Sequence, residues 1–267
     1  MGHPVVLIHG MWCSPLHLKL LASQLTVRGY DCHLPCLPMH QPTPTQADDV
    51  AALSISNYAD SVRAYIEERA FSQPPVLLGH SMGGLIAQIL ASRIPAAALV
   101  LLTPAAPWGI HALTPAVMQV GLPIFCRWGF WRKSHTLSRA RLLGNAMNAH
   151  TEQAALKLLP TLLAESGRAA TEMGLWWSDL RRATAVPASS VRCPVYVVSA
   201  GQDRLTPASV VRKVALRYAN STLRIWPERD HWVIDDADTE DMVHEIDGWL
   251  RPVLKRLAAG INTVNKT

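Results

Sequence analysis

Apolar residues gather along this chain in short continuous runs, PVVLI, PPVLL, ALVLL and VYVV, each bounded by glycine, proline or a small polar residue. Such runs lack polar alternation, which predicts strands buried on both faces of a parallel sheet. YDCHLP reads as a further strand. Between the runs the spacing changes to a helical one, over Leu16 to Val27 with Gly29 closing it, over Tyr58 to Arg69, and over Leu85 to Arg93. PMHQPTPTQADD reads as loop from its prolines and polar residues. Strands alternating with helices in this way imply parallel pairing through right-handed crossovers.

The alternation lapses at TPAAPWG and resumes at CPVYVVSAG. From Pro107 to Ser190 helical periodicity dominates, most clearly over Thr151 to Ser166. VVRKVALRYA then reads as a helix, TLRIWP as a strand and Thr239 to Leu257 as a closing helix. The expected fold is α/β, a mostly parallel sheet of about six strands flanked by helices with an inserted helical cap. Residues 1–106 and 191–267 form its core, and 107–190 the cap.

Composition narrows the class. With 267 residues, 49% hydrophobic and 17% charged, the chain fits one globular domain carrying an insertion. Its five cysteines are odd in number and unevenly spaced, which argues for free thiols in a reducing compartment. Cys32 and Cys36 flank His33 without a second ligand pair, so no metal is expected, and no cofactor either. MGHPVVLIHG lacks the features of a signal peptide, and prolines interrupt the uncharged stretch from Ile94 to Cys126, so the expected location is cytoplasmic. No nucleic-acid-binding motif is present.

GHSMGG, residues 79 to 84, stands between an apolar strand and a helix. Gly79 and Gly83 permit a sharp strand-to-helix turn that exposes the Ser81 hydroxyl, with the Met82 N–H at the helix start. Asp203 follows the first strand after the cap and His231 follows the last strand, both at the edge where open α/β sheets build their sites. His9 and His80 also sit at strand ends, the first in the HG turn and the second beneath the serine. Asp230, Asp235 and Asp236 adjoin His231 in one loop and read as solvated charges.

On HGMW, GHSMGG, GQDRLTP and RDHW the chain resembles the α/β-hydrolase superfamily over nearly its whole length, in the compact form that starts at the family's third strand. The resemblance implies a serine hydrolase of carboxylic esters, with Ser81 the nucleophile, His231 the general base and Asp203 the acid that orients it. It also implies that Met11 and Met82 supply the backbone N–H groups of an oxyanion hole. Thioester, lactone or carbon–carbon bond hydrolysis and acyl transfer fit the same triad, and a non-catalytic ligand receptor is the alternative of another class.

Trp12 and Trp232 neighbour these positions and are candidate pocket walls. Trp108, Trp128, Trp131, Trp176 and Trp177 of the cap, with Met118, Met147 and Met173, are candidates for an apolar acyl or aromatic site. The expected partner is therefore a small ester with an apolar part. The cap also holds nine Lys or Arg against four acids, and thus the whole formal excess of +5. Such a surface suits contact with anionic substrates or a membrane surface.

Overall fold

A computed structural model describes residues 2–41, 49–236 and 238–264. In chain order its first elements are strand β1 (Pro4–Ile8), helix α1 (Lys19–Val27), strand β2 (Asp31–His33), helix α2 (Ile55–Arg69), strand β3 (Val76–His80), helix α3 (Met82–Ala91) and strand β4 (Ala98–Leu102). The loop expected over residues 38–49 falls mainly on 42–48, outside the described residues. The next stretch holds helix α4 (Pro115–Phe125), strand β5 (Ser134–His135), helix α5 (Glu152–Leu158), strand β6 (Glu165–Ser166) and helix α6 (Gly167–Gly174), with short 3-10 turns between them. Strand β7 (Val195–Ala200), helix α7 (Ala208–Ala215), strand β8 (Ser221–Trp226) and helix α8 (Thr239–Val264) complete the fold.

Six strands form one sheet in the order β2-β1-β3-β4-β7-β8, and every pair is parallel. The central strands are buried along their whole length because both faces are covered. Successive residues serve opposite cores: Val5, Leu7, Leu78 and Val100 pack with α1 and α8, whereas Val6, Ile8, Leu77 and Leu101 pack with α2, α3 and α7. Register sets the functional edge, since Ile8 pairs with Gly79 and His80 with Leu102. The carboxyl ends of β1, β3 and β4 therefore finish at one level.

The segment between β4 and β7 departs from the expected helices. Thr151 to Ser166 is helical only over Glu152–Leu158, passes through a 3-10 turn at Leu159–Thr161, and ends in β6, antiparallel to β5. Pro160 lacks the N–H that would continue the helix. Glu165 then turns inward to the Tyr58 hydroxyl (2.6 Å) and His40 Nε2 (3.0 Å). Two side chains distant in sequence thus override the local periodicity. Beside this tie, the Glu172 carboxylate accepts from Ser54 Oγ (2.9 Å) and Ile55 N–H (2.8 Å) at the start of α2.

Candidate active site

Ser81 lies between the last residue of β3 and the first of α3, at φ 54° and ψ −119°. That region disfavours residues with a Cβ, so the turn must hold it in place. It does so with four backbone bonds: the Ser81 N–H donates to Leu102 O (3.0 Å), and Ser81 O accepts from the N–H groups of Gly84 (2.9 Å), Leu85 (3.2 Å) and Ala105 (2.9 Å). The two glycines are required by close approach. A Cβ on Gly79 would strike the Gly83 carbonyl, and one on Gly83 would strike the Ile8 carbonyl at the end of β1.

His231, on the loop after β8, reaches this serine. Its Nε2 lies 2.8 Å from Ser81 Oγ and its Nδ1 2.8 Å from Asp203 Oδ2. Asp203, after β7, is buried; its Oδ1 accepts the N–H groups of Leu205 and Thr206 (both 2.8 Å), and its Oδ2 the Thr206 hydroxyl (2.7 Å). Burial opposes ionisation of this carboxyl, yet His231 and the Thr206 bonds outweigh it and hold its pKa below the usual carboxylate value. The His231 carbonyl accepts from His80 Nε2 (2.9 Å) and the Thr103 hydroxyl (3.2 Å), which pins the loop. Burial, with His231 beside it, lowers the His80 pKa to about 3, so at neutral pH that ring is an uncharged donor.

The loop after β1 abuts the serine, since a Cβ on Gly10 would stand 3.1 Å from Ser81 Cβ. Among the described residues the backbone N–H groups of Met11 and Met82 form no hydrogen bond within the protein, and the second opens helix α3. A helix start favours negative charge. The next N–H, that of Trp12, donates to Glu165 Oε2 (3.4 Å). Glu165 is buried with His40; burial lowers the His40 pKa, but the carboxylate overrides this and raises it above the usual histidine value.

A cavity of about 170 Å³ opens beside Ser81 and His231. Its walls come from Met11, Trp12, Trp232, Val117, Ile124 and Met173 among others; among the described residues no Lys, Arg, Asp or Glu lines it. Trp12 and Trp232, the candidates next to the proposed triad, both line it. None of Trp108, Trp128, Trp131, Trp176 and Trp177 lines the cavity. Trp108 and Trp176 pack on each other at 4.9 Å, Arg182 covers Trp108, and Trp128, Trp131 and Trp177 face outward. Of the three methionines only Met173 lines it; Met118 is exposed and Met147 buried elsewhere. The walls are mostly aliphatic residues that as sequence read only as core.

Two further residues escaped the sequence reading. Thr206 carries the spacing of a capping partner three residues after an aspartate, a signal that was available in GQDRLTP. Asp230 is not solvated but buried, accepting from the Ala149 N–H (2.7 Å), His150 Nδ1 (2.9 Å) and Trp232 N–H (3.0 Å). Asp236 is half-buried and paired with Arg229 and His150, while Asp235 is exposed as expected. Among the described residues no group of three or more His, Cys, Asp or Glu is arranged to hold a metal ion, and all five cysteines are free thiols.

A family model described as "Alpha/beta hydrolase family" matches residues 5–245. No curated protein sequence matches the chain. Among solved structures, a monoacylglycerol lipase of Paleococcus ferrophilus is 21% identical at a TM-score of 0.70, covering 95% of this chain and 97% of that one. A thermophilic esterase from Thermogutta terrifontis is 19% identical at 0.70, over 95% and 91%. A methylesterase from Arabidopsis is 12% identical at 0.68, over 95% and 99%. At these identities the likeness is one of fold.

Proposed function

The chain belongs to the alpha/beta hydrolase family, and from that premise we propose that it is a serine hydrolase cleaving carboxylic esters that carry an apolar acyl or aromatic group. The observation that carries this reading is the continuous path from Ser81 Oγ through His231 to Asp203, with 2.8 Å at both steps. His231 Nε2 takes the hydroxyl proton as Ser81 Oγ attacks the ester carbonyl. The Met11 and Met82 N–H groups bind the oxyanion, and Asp203 holds the imidazole's tautomer and offsets its charge. His231 then protonates the departing alcohol, and water, deprotonated by the same ring, releases the acid. Residues 107–190 act as the cap that closes the acyl site against water.

The uncharged lining argues against anionic substrates, because a carboxylate buried there would find no cation. The test is a Ser81→Ala variant assayed on p-nitrophenyl esters beside fluorophosphonate labelling of the wild type. The expected outcome is a folded variant whose kcat falls by about 10³ or more. Labelling without turnover on any ester, thioester or lactone of a graded panel would instead indicate a ligand receptor, and retained hydrolysis in the variant would remove Ser81 from the reaction.

A further inference from the structure

Helix α4 is apolar on two sides. Val117, Val120, Gly121 and Ile124 face the cavity, whereas Met118 and Leu122 are 42% and 51% exposed, and Gln119 is the helix's one polar side chain. A helix that merely covers a core presents a charged or polar outer face. Beyond its end stands Trp128, 89% exposed, whose ring meets Trp131 at 5.9 Å. Trp131 meets Phe130 at 5.0 Å, and Phe130 meets Phe125 of the cavity wall at 5.2 Å. The outer patch and the cavity wall are therefore one aromatic cluster. Leu113, just before α4, is both exposed and part of the lining, so the cavity reaches the surface beside the start of this helix.

Its charge has one sign. Arg127, Arg132 and Lys133 interleave with these aromatics and are exposed, and no acidic residue occurs in the sequence between Glu68 and Glu152. Among the described residues none of those three takes part in an ion pair, although the Lys133 ammonium donates to Trp128 O (2.9 Å). Among the described residues the cavity lining offers them no acidic partner either. Tryptophan and aliphatic side chains bordered by Lys and Arg that have no acidic partner have the chemistry of a segment that lies in the headgroup region of a bilayer.

We propose that α4 and the following turn to Lys133 dock on an anionic lipid surface, with the cavity mouth turned toward it. The contact is peripheral, since among the described residues no helix is long and apolar enough to cross a membrane. Apolar side chains enter the acyl boundary, the three cations meet lipid phosphates or carboxylates, and a lipid-dissolved ester reaches the cavity without crossing water. Docking does not depend on the hydrolytic reading, so its test measures binding first.

The whole protein is co-sedimented with phosphatidylcholine vesicles with and without phosphatidylserine, at low and high salt. Expected is binding to the serine-lipid vesicles that high salt weakens, and that Trp128→Ala or the double change Arg127→Glu/Arg132→Glu reduces by about tenfold or more. The double variant should keep wild-type turnover of a soluble short-chain ester and wild-type Tm. Absence of binding to anionic vesicles, or binding indifferent to both variants, overturns the proposal. So does a wild-type dimer in gel filtration that Trp128→Ala converts to monomer, which would assign the patch to a second copy of the chain.

Discussion

Thr206 shows how much of the proposed chemistry rests on one side chain beside the triad. Its backbone N–H and hydroxyl occupy both oxygens of Asp203, and the same hydroxyl lies 3.3 Å from His231 Nδ1. A buried carboxylate left short of a donor costs its desolvation, and here it would also lose the direction of its lone pairs. Thr206→Val should therefore lower kcat about tenfold with KM nearly unchanged, and Thr206→Ser should restore it. A valine variant that changed KM alone would show that Thr206 shapes the pocket instead. That aspartate, serine and histidine would meet was legible in the sequence, because each follows a recognisable strand. Thr206 was not singled out, because a threonine three residues after an aspartate fits any capped turn, and only the third group, His231, makes this turn different.

At the scale of elements, the segment between β4 and β7 is tied to both sides of the site by buried acids. Glu165 of β6 reaches the Trp12 N–H after β1, and His150 before α5 reaches Asp230, the residue preceding His231. Periodicity along a chain reports neighbours three or four residues away and carries nothing about such partners, which explains why Asp230 reads as a solvated charge and Glu165 is not singled out. The second tie has a pH signature. Hydrogen bonds to Asp230 and Asp236, against the opposing effect of burial, raise the His150 pKa to about 9; Arg229 pairs with Asp236 from the other side. A raised pKa means that protonated His150 stabilises the fold fully below its unfolded value of about 6.5 and loses this contribution as pH climbs through about 9. The amount is on the order of 3 kcal/mol or less, because the ring is partly solvent-accessible. In melts across that range the Tm gap between wild type and His150→Asn should shrink with rising pH. A gap independent of pH would mean that His150 is held neutral and contributes by packing alone.

Over the whole molecule, the cavity exists only because two parts of the chain far apart in sequence face each other: the strand edge supplies Ser81, His231 and Trp232, and α4 and α6 supply Val117, Ile124 and Met173. The sheet was legible because its strands are buried on both faces and need no partner pattern to be recognised. The pocket was not, since an aliphatic stripe at positions 117, 120, 121 and 124 is the same signal whether it meets a core or an empty space. The tryptophans of this segment stand out in the sequence by size, yet an aromatic ring half exposed there is as well explained by an outer surface as by a substrate. What the aliphatic wall controls is length. Val117 lines the cavity but is not fully enclosed, so a larger side chain there can extend into the void without displacing the core. Val117→Trp should leave kcat/KM for an acetate ester within about threefold and cut that for an octanoate ester more than tenfold, since each excluded methylene forfeits about 0.8 kcal/mol of burial. The ratio of the two rates in one preparation is the measurement. An equal fall for both esters would place the acyl chain away from α4 and leave this wall to the alcohol portion of the substrate.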